Sequence, residues 1–132
     1  MKNNLELRAL RGATTSEANT SAAIIESVEE LLQSLIENNE LKGDQVISVT
    51  FSVTSDLNAC FPAAIARRWA GWDGVALLDC QHMAVVGDLP RCIRLLAHVW
   101  LEPERQLCHP YLRAAIQLRP DRSSKIRVCK PD

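Results

Sequence analysis

Three arginines stand where an arginine is hard to place. Arg94 lies inside "RCIRLLAHVW" (Arg91 to Trp100), a run otherwise dominated by apolar residues. Arg11 comes just before Gly12, and Arg119 follows "AIQL". A guanidinium keeps its proton in a protein and carries five N–H donors, so each of these side chains must reach water or an anion. Arg67 in "AAIARRWAGW" adds a further cation, and Tyr111 places a phenol just before the last apolar stretch. Singly, each is ordinary as a surface side chain whose stem packs against apolar neighbours. Arg94 is the exception, because both of its flanks are apolar. Brought together, these side chains would make a pocket for a small multi-anionic molecule, since guanidinium pairs bidentately with carboxylate or phosphate.

The sequence contains no G-x-G-x-x-G, no P-loop and no G-x-S-x-G. A Ser-His-Asp or Cys-His arrangement is compatible with the composition, but no spacing points to one. Cys80, His82, His98 and His109 match no familiar zinc pattern, so no metal is expected. The chemistry suggested is electrostatic.

The elements that must position these residues can be read from periodicity. Leu5–Arg11 alternates as a short strand, with Gly12 as a turn residue. Ile24, Ile25, Val28, Leu31, Leu32, Leu35 and Ile36 form one apolar stripe on a helix. Asn19, Thr20 or Ser21 can cap its start, and Asn38 and Asn39 suit its end. In "VISVTFSV" (Val46–Val53), Ile47, Val49, Phe51 and Val53 share one face, and Val46, Ser48, Thr50 and Ser52 the other. Pro62 opens a short helix that ends at Gly71. Gly74–Asp79, Arg91–Leu101 and Ala114–Leu118 read as the third, fourth and fifth strands. In the fourth, Cys92, Arg94, Leu96, His98 and Trp100 share a face. The result is an α+β domain over residues 1–121, a five-stranded mixed sheet with one long and one short helix. Residues 122–132 form a basic C-terminal tail, expected to be mobile. The sheet face carrying Ser48, Thr50, Ser52 and Arg94 has no cover in this chain, which implies self-association.

Composition narrows the setting. A chain of 132 residues suits one domain, and a formal net charge of −1 gives no field to draw nucleic acid or an acidic membrane. No apolar run approaches the roughly 20 residues of a membrane span, and "MKNNLELRAL" has no apolar leader. Five cysteines without a C-x-x-C pair argue against a disulfide framework and for a reducing compartment, so a cytoplasmic location is expected.

"LRALRGATTSEANT", "TSDLNACFPAAIAR", "PRCIRLLAHV" and "YLRAAIQLRPD" resemble, in order and at matching distances, segments of the monofunctional AroH-type chorismate mutases. The similarity runs from about Leu7 to Asp121. It implies a homotrimeric pseudo-α/β barrel with sites between subunits, no cofactor, and conversion of chorismate to prephenate on the route to phenylalanine and tyrosine. By resemblance, Arg94 contacts the ether oxygen whose bond breaks. Arg11 and Tyr111 bind substrate, the latter at a carboxylate, and Arg119 lies near the cleft mouth. Phe61 and Arg67 come from the adjacent subunit, and Ala64 stands where some relatives have lysine. Leu78, Asp79, Cys80, Gln81 and His82 form a further substrate-binding segment that departs from the family. Asp79 and His82 occupy positions where well-known members carry cysteine and glutamate. That glutamate accepts a hydrogen bond from the substrate's ring hydroxyl. A neutral His82 can accept it instead, or Asp79 can contribute a carboxylate. The alternatives are a trimeric imine deaminase of the RidA type and a catalytically impaired carboxylate-binding homologue.

Overall fold

The computed structural model describes residues 4–120. Along the chain run β1 (Glu6–Thr15), α1 (Ser21–Asn39), a 3-10 turn (Gly43–Gln45), β2 (Val46–Val53), α2 (Pro62–Ala66), β3 (Ala76–Gln81), β4 (Cys92–Leu101) and a 3-10 helix (Arg113–Leu118). The strands form one four-stranded sheet in the order β1-β4-β2-β3. β4 pairs antiparallel with both β1 and β2, whereas β2 and β3 are parallel. A parallel pair needs a crossover rather than a hairpin, and α2 lies in that crossover.

α1 forms where its apolar stripe predicts. The Thr20 hydroxyl accepts a hydrogen bond from the Ala23 N–H at 3.2 Å and caps the start. At the other end Glu40, with φ of 50°, takes the left-handed turn one residue beyond Asn39. Ile24, Val28, Leu31, Leu32 and Leu35 are buried against Leu10 of β1, Val49 and Phe51 of β2, and Ile93, Leu95, Ala97 and Val99 of β4. Each fully buried aliphatic side chain here contributes roughly 1.5–3 kcal/mol of transfer free energy. Buried Asn39 has a different task. Its amide donates to the Leu35 and Cys108 carbonyls at 2.9 and 2.8 Å, and its oxygen accepts from the Cys108 N–H at 2.9 Å. This fastens the segment that leads to Tyr111.

Four sequence expectations need correction. The fifth strand does not form, because Ala114–Leu118 belongs to the 3-10 helix. Pairing beside β1 is limited to a bridge between Ala13 and Tyr111, with Leu112 N–H donating to the Ala13 carbonyl at 2.9 Å. Arg113 then adopts a positive φ of 52°, which turns the chain away from the sheet edge. Second, β1 continues through Gly12 to Thr15. A Cβ on Gly12 would lie 3.1 Å from the Pro110 carbonyl oxygen and 3.3 Å from Leu31 Cδ1, so glycine serves close packing there, not a turn. Third, an irregularity between Val46 and Ser48 interrupts the alternation of β2, burying Val46 and leaving Ile47 half-exposed. Fourth, the third strand begins and ends two residues later than the alternation suggested, and α2 stops at Ala66. Turns connect α2 to Gly71, whose φ of 84° suits glycine. The tail at 122–132, Cys129 and Asp121 lie outside the described residues.

Candidate active site

The face of the sheet turned away from α1 carries the candidate site. Ala13 of β1 pairs with Arg94 of β4, Arg94 with Ser52 of β2, and Ser52 with Cys80 of β3. Directly paired residues share a face, so these four lie in one row across the sheet. Tyr111 extends the row through its bridge to Ala13. One step along lies a second row, Arg11–Leu96–Thr50–Leu78, on the same face. β4 thus places Arg94 as its alternation predicts, with Ile93 and Leu95 fully committed to the core beneath.

Arg94 meets its anion within the chain. Its Nη2 lies 3.3 Å from Asp88 Oδ1, and its Nη1 contacts His82 Nε2. His82 Nε2 in turn lies 3.3 Å from Asp88 Oδ2, and its Nδ1 lies 2.7 Å from the Ser52 hydroxyl. His82 reaches this position because its N–H bonds to the Val53 carbonyl just past the end of β3, on the face of Cys80. All three side chains are largely but not wholly buried, at 28% exposure for Arg94, 21% for Asp88 and 18% for His82. The Leu89 N–H bonded to Asp88, together with the charges of Arg94 and His82, holds the Asp88 carboxyl below its usual range despite partial burial. A cleft of about 370 Å³ adjoins this cluster, lined by His82, Asp88, Met83, Val85 and Thr54 among others.

The loop entering β4 is anchored beside Arg94. Asp56 accepts from the Arg91 N–H at 2.9 Å and from the Thr54 hydroxyl at 2.6 Å, while Thr54 Oγ1 accepts from the Cys92 N–H at 2.9 Å. Burial pushes the Asp56 carboxyl up, but these donors and the Arg91 charge outweigh it and lower it overall. Burial raises the Cys92 thiol, so this cysteine is no ready nucleophile even with Arg94 nearby.

The other sequence-predicted residues divide into two groups. Arg11 stands exposed on the same face as Arg94, its backbone N–H donating to His109 Nδ1 at 2.9 Å. Tyr111 is buried with Ala13 and Ala115, and Arg119 sits half-buried at the end of the 3-10 helix. Phe61, Arg67, Asp79 and Gln81 are not gathered around Arg94 within the chain. Phe61 and Arg67, both exposed, flank α2. Asp79 and Gln81 pair with Phe51 and Val53, placing them on the α1 side of the sheet. Asp79 Oδ1 accepts from the Ala63 N–H at 3.0 Å, so its carboxylate is engaged by the start of α2 and does not reach Arg94. Burial pushes the Asp79 carboxyl up, with Ala63 N–H and Arg67 offsetting part of the rise. Phe61, Ala64, Asp79, Cys80 and Gln81 line a second cleft of about 640 Å³. The described residues therefore present two clefts, which share Thr54 and Ser55 in their linings.

Asp88 was not anticipated. An aspartate after Gly87 reads from sequence as a turn residue, and only the fold brings it against His82 and Arg94. Among the described residues, no group of three or more His, Cys, Asp or Glu side chains is placed to hold a metal ion.

Comparison with known proteins gives a consistent result. Chorismate mutase AroH of Bacillus subtilis is 40% identical over 118 residues, spanning 89% of this chain and 93% of that protein. Chorismate mutase AroH of Thermus thermophilus is 41% identical over 121 residues, spanning 89% and 98%. A solved chorismate mutase from Clostridium thermocellum superposes with a TM-score of 0.75 at 40% identity, covering 82% of this chain and 96% of its own. The family model for chorismate mutase type I matches residues 7–122, and the chain belongs to that family.

Proposed function

We propose that this protein is a chorismate mutase that converts chorismate to prephenate in the cytoplasm, on the route to phenylalanine and tyrosine. The reaction is an intramolecular [3,3] shift in which a C–O bond breaks as a C–C bond forms. It needs no nucleophile and no cofactor. A protein accelerates it by holding the chair-like conformer and by placing positive charge where the ether oxygen gains electron density. The observation that carries this reading is Arg94, a part-buried guanidinium held on a strand between His82 and Asp88.

In the proposed arrangement Arg94 faces the ether oxygen, Arg11 and Tyr111 hold the substrate, and Arg119 attracts it at the mouth. Neutral His82 accepts the hydrogen bond of the ring hydroxyl at Nε2 in exchange for its contact with Arg94, with Leu78 and Cys80 on the same face and Gln81 on the other. Phe61 and Arg67 serve the site of a neighbouring subunit, because in their own chain they flank α2 away from Arg94, with Phe61 in the second cleft. The protein is then a homotrimer. Leu7, Leu78 and Leu96, all on the outer sheet face, are 55%, 58% and 40% exposed, which supports burial of that face against other copies. The imine-deaminase alternative has no support beside a family match spanning residues 7–122.

The test is loss of chorismate absorbance on adding pure protein, with prephenate as product. Binding of chorismate without turnover would assign the protein instead to the impaired, carboxylate-binding class.

A further inference from the structure

Asp88 has no counterpart among the roles assigned above, yet both of its carboxylate oxygens have neighbours in the cluster. Its Oδ1 accepts from the Leu89 N–H at 2.8 Å, so the local turn fixes how the carboxylate points. The same oxygen lies 3.3 Å from Arg94 Nη2, and Oδ2 lies 3.3 Å from His82 Nε2. One carboxylate therefore spans a guanidinium from β4 and an imidazole from the end of β3.

A carboxylate is an odd component for a pocket that takes an anionic substrate. It repels that substrate and offsets part of the charge on Arg94. A cost of this kind in binding is tolerable if it improves what happens at the transition state. Arg94 has five N–H donors, and its contacts with Asp88 and His82 leave others for a ligand. A guanidinium tethered on one side is held in place for a ligand on the other, with little reorganisation left when charge develops.

We propose that Asp88 is a positioning residue that orients Arg94 from the loop between β3 and β4, raising turnover while weakening ground-state binding. This rests on the mutase reading of the site, but one arm of its test does not. The ionised state of Asp88, favoured by the Leu89 N–H and the Arg94 guanidinium, agrees with such a role.

Asp88→Asn is the informative variant, since its amide oxygen can still accept from Leu89 and keep the turn. With chorismate as substrate, kcat should fall about tenfold or more, while KM stays constant or drops because a repelling charge is gone. Asp88→Glu, which keeps the charge, should recover part of the lost kcat. In the absence of substrate, nitrogen-15 spectra of the Arg94 guanidinium should show restricted rotation in the wild type and faster rotation in Asp88→Asn. Unchanged Arg94 spectra, or an unchanged kcat in Asp88→Asn, would overturn the proposal. If the wild type fails to turn over chorismate, the mutase reading falls and the spectra alone decide whether Asp88 positions Arg94.

Discussion

Asp79 and Ala63 are joined by a hydrogen bond of 3.0 Å from the backbone N–H of Ala63 to the Asp79 carboxylate, linking β3 to the first turn of α2. That N–H has no partner within its own helix, so the side chain satisfies an otherwise orphaned donor. Removing it in Asp79→Ala should lower stability by about 1 kcal/mol, measured by urea denaturation at a pH below the raised Asp79 value, where its contribution is present.

The same carboxyl gives a pH dependence. Because burial raises it in the folded protein, the native state binds this proton more tightly than the unfolded chain. Its contribution to stability is fully present below the ordinary carboxylate value and is lost as pH rises through the raised one. Asp79→Asn keeps the acceptor oxygen and has no proton to lose. Its stability should therefore be flatter than that of the wild type across the mildly acidic range just above the ordinary value. A wild-type curve that rises through this window, with an unchanged slope in the variant, would assign the effect to other groups.

Replacing Arg94 by citrulline preserves shape but removes the charge and exchanges one donating nitrogen for an accepting oxygen. The loss of one preorganised donor from a comparable site costs on the order of 3 kcal/mol, or about a hundredfold in turnover. Loss of the full charge should cost at least that in kcat, with a much smaller rise in KM. A retained kcat with a raised KM would reduce Arg94 to a carboxylate anchor.

The outer sheet face gives the prediction on assembly. Leu7 pairs with Trp100 at the far end of β1 from the Arg94 row and is 55% exposed in the single subunit. Leu7→Glu should shift the light-scattering mass from about three chains toward one, because a carboxylate is costly to bury in such an interface. Far-ultraviolet circular dichroism should remain that of the folded chain. If a stable single subunit retained full activity, Phe61 and Arg67 would have no place in a shared cleft.

Much of this architecture is legible in the sequence wherever one side-chain period dominates. The stripe from Ile24 to Ile36 specifies α1, and the alternation around Arg94 specifies which face β4 gives to the core. The misreadings occur where a few contacts decide. "AAIQL" has the apolar content of a strand, but β1 offers it only the Ala13–Tyr111 bridge before Arg113 turns the chain. Gly12 looks like a turn until the Pro110 carbonyl is found against it. The arginine of the candidate site is visible as a charge in an apolar run, and the family resemblance supplies Arg11, Tyr111 and Arg119. Asp88 stays hidden because a single aspartate in a loop carries no periodic signal. Asp79 lies on the opposite face of β3 from Cys80, because strand alternation turns it toward Phe51 and away from the Arg94 row.

The pairing of β4 on both sides has one more effect. Arg94 lies opposite Ala13 on one edge and Ser52 on the other. A slip of a single residue in either ladder would send Arg94 beneath α1 and bring Ile93 or Leu95 to the outer face, because side chains alternate with a period of two. With Arg94 in the role proposed above, mispaired chains would be inert, not merely slower. Catalysis in this protein acts as a proofreader of its own folding: a refolded sample's specific activity counts the molecules whose strands found the correct partners.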